Sequence, residues 1–195
     1  AFFFSGSVGL LLSLAVLRIK DPERGAQDDG PSRTTEALPV WTVYKRLLQN
    51  RPFRLSILGY AAYTFAVGGL AFWAPTFLER VRGATRSEAT VTFGAIIVVT
   101  GFLGTAVGGL LADKLRQRMD SAYLWVSAVS TLISVPFVIV ALSAPAKMVY
   151  MPAMAVAQLF LFMSTGPINS AIVGLVEPGR RATAVALSVL VMHML

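Results

Sequence analysis

The sequence predicts an all-α polytopic membrane protein, and three observations carry that expectation. Apolar residues make up 55% of the 195 positions and charged residues 14%, where a soluble domain would have about a quarter charged. The charges fall in short clusters between long apolar runs, as expected where lipid is the solvent. Nothing alternates with the period of a barrel strand, and a backbone in lipid must satisfy its own amides, so helices are the default.

A bilayer core about 30 Å thick needs about 20 apolar residues in a helix. Six runs approach or meet that length: 1–17, 55–78, 91–112, 121–142, 148–176 and 182–195. The chain opens on AFFF and closes on VLVMHML, both apolar, so the first run reads as a helix cut at its start and the sixth as one cut at its end. The first run has no basic flank before it and no small-residue cleavage site after it, so it does not read as a signal peptide.

Segment 18–38 (RIKDPERGAQDDGPSRTTEAL) is charged, rich in Gly and Pro, and poor in aliphatic residues. Too little apolar surface is available to offset its ordering entropy, which predicts a mobile linker. Near 39–50, Trp41, Tyr44, Leu47 and Leu48 recur at helical spacing while Lys45, Arg46, Gln49 and Asn50 face away. That pattern predicts a short amphipathic helix, lying on the membrane surface or packed on the protein. If 18–54 is cytoplasmic, the same side carries 113–120 and 177–181. These segments hold eight, three and two of the seventeen Lys and Arg, leaving Arg80, Arg82, Arg86 and Lys147 opposite. That asymmetry satisfies the positive-inside rule. The net charge of +7 is then a record of topology, and nucleic acid is not an expected partner.

The third run ends GGLLADKLRQR, 108–118. It resembles the loop signature of the major facilitator superfamily, a Gly-x-Leu-Ala-Asp-Arg pattern followed by a basic cluster. Asp113 matches the acidic position, Lys114 the first basic one, and Arg116 and Arg118 the later cluster; Gly109 belongs to the same loop motif. Arg116 stands where a Gly is common, which puts the tight turn after the helix in question. EPGRRATAVAL, 177–187, including Glu177 and Arg181, is similar to the family's passage into its eleventh helix. The resemblance implies a major-facilitator-type bundle, with 1–17 as the sixth helix closing an N-terminal bundle and 18–54 as a cytoplasmic linker. Segment 55–195 is then a C-terminal bundle through the eleventh helix, its twelfth not included. GLAFWAPTFLERVRG, 69–83, resembles the Spinster-like subfamily, where an aromatic Trp-Ala-Pro segment ends the seventh helix. That resemblance implies an amphiphilic substrate such as a lysolipid or sphingoid lipid.

Polar residues inside spans are the best candidates for function, since each costs free energy in lipid unless it meets a cavity or a partner. Tyr60, Tyr63 and Thr64 lie in the second run. Gln158, Thr165 and Asn169 lie in the fifth, at separations of seven and four that place them on one face. Gly166 and Pro167 weaken that helix and free backbone carbonyls. In the resembled family the seventh and tenth helices line the central cavity, so these six form the expected cavity set; the alternative is that Gln158 and Asn169 bond to neighbouring helices. Phe65, Phe72, Trp73, Phe160 and Phe162 read as packing or lipid-facing residues. Gly101, Gly104 and Gly108 form a close-packing stripe.

Asp113 is either a solvated loop carboxylate or a latch facing the amides of the helix that begins near Ala182, with Arg118 and Glu177 as further partners on that side. A helix N-terminus favours a carboxylate by about 0.3–1 kcal/mol. His193, the sole histidine, reads as packed or interfacial. There is no cysteine, no H-E-x-x-H and no G-x-S-x-G, so metal sites, cofactors and hydrolytic enzyme chemistry are not expected. No filter-like or charged ring suggests a channel. No Asp, Glu, Lys or Arg lies mid-run, so a proton-coupled mechanism would need its titrating carboxylate in the N-terminal half. The expectation is a secondary transporter in the plasma membrane, or the inner membrane of a bacterium. It would move an amphiphilic molecule by alternating access, with protons as a possible coupling ion and membrane lipid around it. The other class is a lipid-binding sensor or scaffold on the same fold.

Overall fold

The computed structural model describes residues 39–194 together with 6, 7, 9, 10, 13 and 16. The chain divides into two units, Ala1–Glu36 and Ala37–Leu195. In the first unit the described positions are helical, and the Ser13 hydroxyl donates to the Leu10 carbonyl at 2.8 Å. The remainder of run 1–17 and the expected linker at 18–38 lie outside the described residues.

The second unit is all helix and connection among its described residues: α1 (Val40–Gln49), α2 (Arg51–Arg80), α3 (Arg86–Arg116), α4 (Ala122–Ser143), α5 (Lys147–Met163), α6 (Thr165–Gly174), a 3-10 turn (Pro178–Arg180) and α7 (Arg181–Met194). Among the described residues, four helical segments are long and apolar enough to cross a membrane: α2, α3, α4, and α5 with α6 taken together. At 14 residues, α7 is shorter than a span.

The helices begin before the apolar runs because caps start them early. Asn50 accepts from the Phe53 amide at 3.3 Å and Pro52 sits in the first turn, which starts α2 at Arg51. Thr85 accepts from the Glu88 amide at 3.2 Å, a cap that starts α3 at Arg86. Between α2 and α3, Gly83 turns the chain with φ +72°, a conformation that suits a residue without a Cβ.

The expected amphipathic helix is α1, but its buried face differs. Val43 and Leu47, one turn apart, are the residues buried on α2 and α7. Trp41 is 80% exposed and Leu48 41%, so the apolar arc is wider than one docking face and its edge is free of the bundle.

Two apolar clusters hold the unit. The first joins Val43 and Leu47 of α1, Phe53, Ile57 and Tyr60 of α2, Ile168 and Ile172 of α6, and Ala184 and Leu187 of α7. The second joins Ala74 and Leu78 of α2, Ala89 and Phe93 of α3, Ala141 of α4, and Tyr150, Ala153 and Met154 of α5. They occupy opposite ends of α2, one toward Arg51 and one toward Arg80.

The α5–α6 segment is the most enclosed span, with 44% of its apolar window buried against 17% for α2. Large apolar side chains such as Phe72, Phe102, Leu110 and Leu132 point outward, as lipid allows. Closeness to α3 depends on glycine. A Cβ on Gly104 would stand 2.6 Å from the Leu159 carbonyl oxygen, and one on Gly108 would overlap the Met163 carbonyl. Small residues let backbones approach where lipid removes the hydrophobic drive between helices. On α4, Ser127, Ser130 and Ser134 are buried. Each returns its hydroxyl to a carbonyl one turn back, at 2.6–3.2 Å, so a small polar side chain is buried without an orphaned donor.

Candidate functional site

The break between α5 and α6 positions the site. Pro167 has no N–H to give the Met163 carbonyl, and its ring crowds the preceding turn. The helix is interrupted at Ser164, whose amide bonds to the Leu161 carbonyl at 3.1 Å in a tightened turn. Tyr63 of α2 reads this disturbed backbone. Its hydroxyl donates to the Leu161 carbonyl at 2.8 Å and stands 3.0 Å from Thr165 Oγ1. A phenol has one proton, so the Thr165 hydroxyl donates in the second contact.

Asn169, one turn on, spends both amide hydrogens: Nδ2 donates to the Tyr60 hydroxyl at 3.0 Å and to the Thr165 carbonyl at 2.8 Å. Tyr60 and Tyr63, on successive turns of α2, stack with ring centroids 6.0 Å apart. Tyr60, Tyr63, Thr165 and Asn169 therefore form one network across the α2–α6 seam. Asn169 Oδ1 and the Tyr60 hydroxyl proton are left without a partner among the described residues, and Asn169 is exposed. An acceptor and a donor stand in the half of the seam toward Arg51 and Gly174, and Tyr60 also lines a cavity of about 700 Å³ with Tyr63, Ser127 and Ser164.

The other two expected cavity residues lie elsewhere. Thr64 is turned toward α7, 3.5 Å from Met192 Sδ. Gln158 does not join Thr165 and Asn169: it stands seven residues, about 10 Å, further along the span than Thr165. It is 3% exposed, lines a separate groove with Phe65, Trp73 and Phe93, and has no partner for Oε1. Phe65, Phe72 and Trp73 are exposed; Phe160 is half-buried and stacks on Phe137 at 6.1 Å. His193 is exposed, its Nδ1 2.8 Å from the Val189 carbonyl.

At the basic end, Asp113 accepts from the Tyr123 hydroxyl of α4 at 3.0 Å. The hydrogen bond it makes therefore runs to the neighbouring helix ten residues on, where the expected latch looked to the start of α7. Arg116 pairs with Asp120 at 3.2 Å, an exposed contact within one turn, and also reaches the Asp120 carbonyl. Glu177 faces Arg180 at 3.7 Å. Lys114 and Arg118 are exposed, and Arg181 is half-buried. A Cβ on Gly109 would meet nothing within 4 Å, so packing does not demand glycine there.

Sequence reasoning missed the ties at the opposite end. Arg82 Nη2 donates to the Leu142 carbonyl at 2.9 Å, closing the C-terminus of α4, and its guanidinium lies 5.0 and 4.6 Å from the ring centres of Phe77 and Tyr150. Lys147 Nζ meets Glu88 Oε1 at 2.8 Å. Only the cluster of charges between runs hinted at these, since the partners are about 60 residues apart, well beyond the reach of helical spacing.

Four membrane-length helical segments among the described residues, joined across the α2–α6 seam by hydrogen-bonded polar groups, make this a multi-pass integral membrane protein of the major-facilitator helical-bundle class. Residues 17–144 match the Organic Anion Transporter Polypeptide (OATP) family. The chain is 36% identical over 206 residues to Protein spinster homolog 3 of Danio rerio, covering 97% of this chain and 40% of that protein. It is 29% identical over 197 residues to the Sphingosine-1-phosphate transporter SPNS2 of Danio rerio, covering 94% and 39%. Among solved structures it is similar to a bacterial homolog of the human lysosomal transporter Spinster, in an inward-facing and unoccupied conformation. That likeness has TM-score 0.71 and 27% identity, covering 96% of this chain and 39% of the other. The chain belongs to the OATP family, as a Spinster-like member of the major facilitator superfamily. It spans well under half the length of each of these relatives.

Proposed function

We propose that this chain forms one wall of a secondary transporter that moves an amphiphilic, lipid-like molecule by alternating access. The observation that carries the reading is the unspent pair in the α2–α6 network, Asn169 Oδ1 and the Tyr60 hydroxyl proton. Polar capacity inside a span is costly unless it faces a cavity or a ligand. Here a helix break and a second tyrosine hold that capacity in place. The relative that is named a sphingosine-1-phosphate transporter supports a single-chain lipid as the substrate class.

The wall acts by offering one acceptor and one donor to the polar end of the amphiphile, while apolar side chains take its chain. A fixed polar site within the spans, around which helical repeats rock, suits alternating access. No Asp, Glu, Lys or Arg lies at the middle of the described spans, so any proton coupling through a mid-membrane group draws it from outside them. Asp113, exposed and held by Tyr123 at the basic end, is the acidic member of the cytoplasmic gate in this proposal, with Arg118, Glu177 and Arg181 beside it.

The test is counterflow of labelled sphingosine into proteoliposomes that hold the full-length protein. Counterflow that falls at least tenfold in Asn169→Ala supports the reading. Saturable binding without counterflow would replace it with a lipid sensor on the same fold.

A further inference from the structure

Of the basic residues at the end where α2 passes into α3, two are engaged within the protein. Arg82 clasps the C-terminus of α4 and Lys147 pairs with Glu88. The side chains of Arg80 and Arg86 make no hydrogen bond or ion pair among the described residues. Arg80 is the last residue of α2 and Arg86 the first of α3. The turn at Gly83 brings both to one polar pocket of about 310 Å³, whose lining Pro75, Thr76, Glu79 and Thr90 complete. Thr76 is half-buried. Its hydroxyl has no partner among the described residues, whereas Thr90 and Thr100 each bond back one turn. Glu79 pairs with neither arginine. One turn before Thr76 and two turns before Arg80, on the same face of α2, stands Phe72. Phe72 and Trp73, its edge-to-face neighbour, are 73% and 63% exposed. The face is therefore aromatic within the span and charged beyond it, the order in which a lipid presents its chains and its headgroup.

We propose that this pocket holds the headgroup of a resident anionic phospholipid, a phosphodiester whose alcohol carries free hydroxyls. The lining selects this occupant. Arg80, Arg86 and Glu79 sum to one positive charge, which one phosphodiester neutralises. The two guanidiniums supply the donors that phosphate oxygens accept. The Glu79 carboxylate accepts and does not donate, so it takes a hydroxyl proton from the alcohol beyond the phosphate. Phosphocholine has no such proton, and its own cation leaves the charge of the pocket uncompensated. The lipid is held and not moved, so the site stands apart from the transport reading above.

The test titrates full-length protein in detergent with phosphatidylglycerol and reads bound lipid by native mass spectrometry. Phosphatidylglycerol should bind more tightly than phosphatidylcholine of the same chains. Arg80→Gln combined with Arg86→Gln should raise its apparent Kd about tenfold, the worth of one charge-assisted hydrogen bond. Arg24→Gln combined with Arg33→Gln, which removes the same charge from segment 18–38, should leave that Kd unchanged. Glu79→Ala should abolish the preference for phosphatidylglycerol over phosphatidylmethanol, an anionic phosphodiester without hydroxyls. Arg80 and Arg86 are exposed, so their variant should melt with the parent. Unchanged affinity in that variant, or an equal loss in both arginine pairs, overturns the site. Soluble glycerophosphoglycerol that binds as tightly as the lipid assigns the pocket to free phosphodiesters and overturns the lipid as occupant.

Discussion

Gly108 shows how little room one residue leaves. The Met163 carbonyl, which Pro167 deprives of its helical donor, sits where a Cβ on Gly108 would be, so the glycine Cα–H is aimed at that oxygen. Gly108→Ala must push α3 and α5 apart, and we predict a loss of about 1–3 kcal/mol, the usual cost of overpacking. Thermal unfolding in detergent measures it; an unchanged melting temperature would contradict the close approach. Gly109→Ala is the control, because nothing stands within 4 Å of its Cβ. Tyr63 gives a second prediction at this scale. Tyr63→Phe removes the donor to the Leu161 carbonyl and the acceptor for Thr165, and should cost about 0.6–1.7 kcal/mol, the span of measured interhelical hydrogen bonds in a membrane protein. The candidate polar residues were legible one at a time, since a Tyr, Thr or Asn in a lipid-facing run calls for an explanation. Which of them bond to each other was not. Tyr60 and Asn169 are 109 residues apart, and no periodicity links positions on different helices.

The decisive element is the α5–α6 segment. Gly166 and Pro167 signalled a weak helix in the sequence, and the interruption at Ser164 is where that weakness is taken up. The separate place of Gln158 was not legible, because a shared face says nothing of depth: seven residues of helix set it about 10 Å from Thr165, against a different stretch of α2. Pro167→Ala restores an amide for the Met163 carbonyl and removes the ring clash. We predict a higher melting temperature and counterflow reduced at least threefold, because Thr165 and Asn169 shift against α2. Greater stability with full transport would show that the break is not functional. In α1 the same limit operates at smaller scale: the apolar positions were visible, but which arc faces the bundle depended on where α2 and α7 stand.

Across the molecule, the two ends are held differently. The end with Arg82 and Lys147 is tied across helices by a capping guanidinium and an ion pair. At the basic end, the pairs Arg116–Asp120 and Arg180–Glu177 close within a turn. Exposed pairs contribute about 0–1 kcal/mol and Lys147–Glu88 is exposed as well, so the buried side of the Arg82 clasp is what distinguishes the two ends. Asp113→Asn in the full-length protein should shift the population toward the cytoplasm-open state, read as longer spin-label distances across that face. Tyr123→Phe should leave those distances unchanged if the Asp113 contact with the other half, and not its bond to Tyr123, biases the equilibrium. A ligand or contact shifts a population only by its difference between states, so unaltered distances in Asp113→Asn would remove the gate assignment.

Class and the approximate place of the four described spans follow from the chain alone, because burying twenty consecutive apolar residues in lipid as helix depends on composition and length, which are local quantities. The family likeness rests on local strings of the same kind, GGLLADKLRQR and GLAFWAPTFLERVRG. The pairing of Asn169 with Tyr60, the exile of Gln158 to its own groove, the turn of Asp113 toward Tyr123 and the clasp of Arg82 on α4 arose only when helices were set side by side. Those contacts depend on the relative rotation and depth of separate helices, which is set by packing small residues such as Gly104, Gly108 and Ser130 and not by any pattern within one run.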